Sequence, residues 1–122
     1  MIVTEVEFVP LYVDQPLYGD ISSFLINQGF MFHKFLDLQG RAMIPTVFQN
    51  NPAFPSTHMW ADAVFINDVT KLQDCTDEKL LKGAILSHLY DSIDISYHLL
   101  AEIDKRNETN HATNYATVNN RG

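Results

Sequence analysis

The spacing of hydrophobic positions changes several times along the chain, and each change predicts an element. Residues 2–9, IVTEVEFV, are mostly β-branched or aromatic and predict a strand. Val3, Glu5, Glu7 and Val9 would share one face, and Thr4, Val6 and Phe8 the other. Pro10 cannot donate a ladder hydrogen bond, so pairing should stop near it. The period then lengthens to that of a helix through Leu17, Ile21, Phe24, Leu25 and Gln28. Asp14 or Gln15 stands where a cap is expected, with Pro16 in the first turn. Gly19 weakens that turn and moves the expected start toward Asp20. Gly29 is a left-handed stop, and Phe30 can fold back on the helix end.

Residues 30–37 predict a second strand, and Gln39-Gly40 a turn. Residues 41–55 are rich in Pro and Asn and read as a short strand fragment plus an irregular loop. Residues 58–67 contain WADAVFIN, a third strand. Trp60, Asp62, Val64 and Ile66 fall on one face of it; Ala61, Ala63 and Phe65 fall on the other, where the small alanines suggest a close neighbouring layer. Asp74 or Thr76 can cap the next helix, with Asp77 and Glu78 well placed in its first turn. Leu80, Leu81, Ala84, Ile85 and Leu89 mark its apolar stripe. Tyr90-Asp91-Ser92 reads as a bend into a further helix ending near Lys105, with Ile95, Leu99, Leu100 and Ile103 as its stripe. Residues 106–122 are polar and aperiodic and are expected to be disordered.

Three strands with one covering helix leave a sheet edge and a sheet face in need of a partner. The first strand is apolar on both faces, the pattern of a central strand in an α/β sheet.

The chain has 122 residues, enough for one compact domain. Its net charge of −7 and scattered basic residues argue against sequence-independent nucleic-acid binding. The aromatic residues read as core, because no basic residues interleave them. There is no apolar run of about 18 residues to span a membrane, and the N-terminus lacks a secretory pattern. Cys75 is the only cysteine, so no internal disulfide can form, and a cytoplasmic setting is expected. Asn107-Glu108-Thr109 fits a glycosylation sequon, read here as chance. His33, His58, His88, His98 and His111 lack close metal-ligand spacing, so no metal site is expected.

The segments EVEFVPLY, QPLYGDISSFLINQGFMFHKF and WADAVFIND, taken in order, resemble the C-terminal third of FkbM-type S-adenosylmethionine-dependent methyltransferases. The resemblance covers residues 5–68 well and extends more loosely to about residue 100. It implies an α/β fold: part of a Rossmann-like methyltransferase sheet in the order strand-helix-strand-strand, its final strand antiparallel to the others, followed by a C-terminal helical pair. Residues 1–70 would form the methyltransferase-like part, 71–105 a helical extension and 106–122 the tail. The implied activity is transfer of a methyl group from S-adenosylmethionine to a hydroxyl of a sugar or secondary metabolite. The family holds its donor with an acidic-glycine turn after its first strand and an acidic residue ending its second, and it has a fourth-strand motif of an aspartate with an adjacent glutamate-containing turn. Neither the glycine turn nor the fourth-strand motif is found among these residues, whose five glycines never come within a GxG spacing. The chain is therefore expected to be a fragment, a truncated product or one piece of a split enzyme, and to bind no S-adenosylmethionine alone.

Candidate substrate-binding residues follow from two sources. Ligands of open α/β sheets bind beyond the carboxyl ends of the strands, which points to Tyr12, Asp14 and Gln15. The resemblance adds Glu5 and also places Tyr12 and Gln15 on shared positions. Glu5 or Glu7 could remove a proton from a hydroxyl, or both could be structural. Asp14 or Gln15 could equally be a helix cap and Tyr12 packing. Asp62 reads as an anchor for a backbone amide, or as a group that orients a ligand. The expected partners are a small-molecule acceptor or a separate donor-binding half, with a homo-oligomer as a further option. The competing class is a non-catalytic interaction or dimerisation module derived from a methyltransferase. A third reading is a small-ligand binder using residues 45–58.

Overall fold

A computed structural model of the chain describes residues 1–43 and 56–120. The chain divides into two units, residues 1–67 and 68–122. The first contains strands β1 (Ile2–Glu7), β2 (Phe30–Gly40) and β3 (His58–Asn67) and helix α1 (Tyr18–Asn27). The second contains a single 3-10 turn (Leu72–Asp74) and helices α2 (Asp77–Leu89), α3 (Ile93–Asn107) and α4 (His111–Asn119). The fold is mixed α/β, as expected. Most of the segment proposed as a ligand loop, residues 45–58, lies outside the described residues.

In the first unit the strand order is β1-β3-β2, and β3 runs antiparallel to both neighbours. The antiparallel last strand agrees with expectation. The position of β1 does not. Its two-sided apolar pattern suggested a central strand, but β3 is central and β1 lies at an edge among the described strands. The reason is visible in β3, where residues 63–65 are fully buried. In β1 only Val6 is fully buried, and Val3 remains exposed.

The core of this unit lies between the sheet and α1. Val6, Leu25, Ala63 and Phe65 are buried there, with Tyr18, Ile21, Phe32 and Phe35 packed against them. Aromatic edges fill the remaining space: the Tyr18 ring meets those of Phe32 and Phe35 at centroid distances of 5.7 and 5.3 Å. Phe32 and Phe35 lie three apart and would point to opposite faces of a regular strand. A register shift between Phe32 and Lys34 inserts an extra residue, so Phe32 pairs with Phe65 and Phe35 with Ala63, all on the α1 face. A second irregularity at Asp37, whose φ is 51°, carries pairing on to Gln39 and Gly40. The turn expected at Gln39-Gly40 is therefore the end of β2.

Helix α1 starts at Tyr18, before the Asp20 that Gly19 suggested. Neither Asp14 nor Gln15 caps it. Asp20 reaches back instead, its Oδ2 accepting from the Leu17 N–H at 2.9 Å. Gly29 ends the helix at φ 90°, as expected for a left-handed stop.

The second unit has its own core of Leu72, Leu80, Ala84 and Leu99, with Ile95, Leu100 and Ile103 packed against it. Thr76 caps α2 by accepting from the Lys79 N–H at 3.2 Å. Leu81, Ile85 and Leu89, expected in the apolar stripe, are exposed, and Ser87 is buried in their place. Small residues set the α2–α3 contact. The Ser96 hydroxyl donates to the Ala84 carbonyl at 2.7 Å, and a Cβ on Gly83 would come within 3.0 Å of Leu99. Asp91, at φ 60°, makes the bend between the helices.

The expectation of a disordered tail from residue 106 is corrected. Helix α3 continues to Asn107, and residues 111–119 form α4. The absence of a hydrophobic period misled because α4 buries only Ala112 and is held by polar bonds. Arg106 ties the end of α3 to the 3-10 turn and the start of α2: its guanidinium donates to the carbonyls of Cys75 at 2.6 Å and Leu72 at 2.8 Å and pairs with Asp77 at 3.0 Å.

Candidate functional site

The candidate residues lie on β1 and on the turn that follows it. Glu5 and Glu7 alternate with Val6 along β1, so both point away from the buried α1 face. The antiparallel register sets Glu5 opposite Asp62 and Glu7 opposite Trp60. Glu5 is exposed, Glu7 and Asp62 half-buried. Three carboxylates therefore share this side of the sheet near the carboxyl end of β1.

Gln15 ties the following turn to the strand. Its Oε1 accepts from the Leu11 N–H at 2.7 Å, and its backbone N–H reaches the Tyr12 carbonyl at 3.4 Å. Its side chain also hydrogen-bonds Glu7. Asp14 takes a left-handed φ of 59°, which aspartate tolerates better than most residues and which reverses the chain here. The four candidates thus separate into two groups. Gln15 is drawn to the glutamates of β1, while Tyr12 and Asp14 are exposed at the tip of the turn. Tyr12 keeps 65% of its surface exposed.

The electrostatics centre on Glu7. Partial burial raises its pKa above the ordinary carboxylate value, and the hydrogen bond and negative charge of Glu5 raise it further. The Gln15 hydrogen bond pulls the other way by favouring the ionised form. A carboxyl pair of this kind can hold or release one proton beside a bound hydroxyl. The role of Gln15 as a brace was hidden in the sequence. The only signal was an amide eight residues beyond a strand glutamate, across a turn marked by Pro10 and Asp14.

At the same end of the sheet, on the β3 residue opposite Glu7, the Arg41 guanidinium stacks over the Trp60 ring, 4.8 Å from its centroid. Among the described residues, no three metal-ligating side chains are grouped to hold an ion. No described helix is long and apolar enough to cross a membrane.

Comparison with protein-family models, with curated proteins and with solved structures found no match.

Proposed function

We propose that residues 1–67 are the closing portion of an FkbM-like, S-adenosylmethionine-dependent O-methyltransferase sheet, acting on a hydroxyl of a sugar or secondary metabolite. The observation that carries the proposal is the placement of β3, antiparallel between β1 and β2. The resemblance requires an antiparallel last strand, and simple hairpin order would have put β2 beside β1. The turn at residues 11–15 then supplies part of the acceptor side, with Tyr12 as an exposed wall and the Gln15–Glu7 bond fixing the turn to the strand. Methyl transfer needs the acceptor oxygen in line with the donor methyl, so positioning and proton removal are the work of such residues. On this reading S-adenosylmethionine is held by residues other than these 122, and the chain alone is inactive.

A chimera tests the proposal. Residues 1–67 would replace the closing strands of an FkbM-type enzyme of known activity. A folded chimera that transfers methyl groups, and loses transfer on Gln15→Ala with donor affinity intact, supports it. A chimera that folds and binds S-adenosylmethionine but is inactive on every acceptor of the parent and on a panel of sugars counts against it. Micromolar S-adenosylmethionine binding by the 122-residue chain, measured by calorimetry, would refute the assignment of the donor site elsewhere.

A further inference from the structure

The two outer edges of the three-stranded sheet are built differently. The outer edge of β2 belongs to a strand with register shifts near Phe32, Leu36 and Gln39 and a left-handed Asp37. Irregularities and charges of this kind keep an edge from recruiting another strand. The β1 edge has no such irregularity, and its charges, Glu5 and Glu7, are confined to one face. Its pairing with β3 runs in unbroken register from Ile2 to Glu7, and its backbone has no described partner on the other side. The strand also carries apolar residues on both faces, a composition suited to a position between two neighbours.

Beside this edge lies a largely apolar groove of about 410 Å³ between β1 and α1, lined by Ile2, Thr4, Pro16, Ile21, Phe24 and Leu25 together with Asp20. Phe24 belongs to the apolar stripe of α1, yet 62% of its surface is exposed at the groove. Side chains of an added strand that point toward the α1 face would enter the groove. Those pointing the other way would meet Glu5 and Glu7, with Asp62 behind Glu5 on β3.

We infer that the β1 edge is a docking edge for an extended segment of alternating apolar and basic residues, added to the sheet as a fourth strand. Backbone hydrogen bonds would give the affinity, and the two faces of β1 the specificity. Apolar positions fill the groove against Phe24, and lysines or arginines answer the glutamates. A second copy of this strand is the poorer occupant. A two-fold pairing centred on Glu5 or on Val6 sets glutamate against glutamate, and like charges directly opposed in a sheet are destabilising; one centred on Thr4 sets Glu5 against Val3, which offers it no countercharge. The inference goes beyond the methyltransferase proposal and does not depend on it, because it uses only the edge, the groove and the charges beside them.

The test uses the 122-residue chain and two short synthetic peptides, one alternating lysine with valine and the other glutamate with valine. Backbone amide exchange and chemical shifts are followed by NMR. The lysine peptide is expected to slow exchange of the β1 amides by about tenfold or more at saturation and to shift Phe24 and Ile21. The glutamate peptide should do neither. Phe24→Asp should weaken the lysine peptide, and the double change Glu5→Lys with Glu7→Lys should exchange the preference between peptides. The second variant keeps the test valid if the first does not fold. Equal response to both peptides, or no change in β1 at millimolar peptide, overturns the inference. So does sedimentation showing a dimer whose β1 amides are already protected.

Discussion

The Asp104 carboxylate of α3 accepts the N–H of Ala112 at 2.7 Å, so one helix caps the next. The same carboxylate accepts from the His111 N–H and the Thr109 hydroxyl. Asn110, the residue in the cap position of α4, makes no side-chain cap bond. A group seven and eight residues upstream satisfies the amides that a local cap would otherwise serve.

Asp104→Ala should therefore unravel α4 while leaving α2 and α3 paired. Amide exchange over residues 111–119 should rise toward that of a fraying terminus, with little change at Leu80 or Leu99. Desolvation pushes the Asp104 carboxyl up, but the bonds from Thr109, Ala112 and His111 outweigh it and leave its pKa lowered. A lowered carboxylate pKa contributes stability above its unfolded value, and that contribution is lost as pH falls through the folded value. The wild type's advantage over Asp104→Ala should accordingly vanish in acid. An advantage that persisted at pH 2 would show that the charge is not what holds α4.

Ser96 is fully buried and its hydroxyl donates to the Ala84 carbonyl. Ser96→Ala removes that bond at little change of volume and should cost about 1 kcal/mol. Ser96→Leu would force α2 and α3 apart and should cost about 1–3 kcal/mol from overpacking, or more. Chemical denaturation followed by helical circular dichroism would rank them. A neutral Ser96→Leu would mean that the helices do not approach as closely as the small residues indicate.

Glu7 gives the opposite pH dependence to Asp104. Its pKa is raised, first by burial and then by Glu5, so the native state holds this proton more tightly than the unfolded chain does. Stability is greatest below the ordinary glutamate value and declines as pH rises through the raised folded value. Glu7→Gln should remove that decline and stabilise the protein at neutral pH. Because the site is open to solvent, the gain should be on the order of 0.5 kcal/mol. Thermal unfolding of both proteins between pH 4 and 8 provides the check; parallel curves would contradict the assignment.

Gly29 holds a φ of 90° where α1 stops and β2 begins, with open space where a Cβ would project. Gly29→Ala is therefore penalised by backbone strain alone, at about 1–2 kcal/mol. Gly19, with equal space and no positive φ, should gain up to about 1 kcal/mol on substitution by Ala, because it lies inside the helix. Comparing the two denaturation midpoints separates conformation from packing. If Gly29→Ala were the more stable variant, the left-handed stop would not be needed.

Local chemistry determined much of this protein. The residue types of β1 and β3, the Thr76 cap, the Gly29 stop and the stripe of α3 all act within a few residues, so they were legible without coordinates. Three things required the tertiary structure. The bulge beyond Phe32 brought two phenylalanines of opposite parity to one face, because an extra residue is absorbed only against a specific partner strand. The cap on α4 came from Asp104, and bonds across a chain reversal leave no periodic trace. The candidate site was only half visible: the position of Tyr12 and Asp14 after a strand could be read from the sequence. The bond from Gln15 to Glu7, and the placement of Glu5 opposite Asp62, depend on turn geometry and strand register, which are set by long-range packing and not by any single stretch of chain.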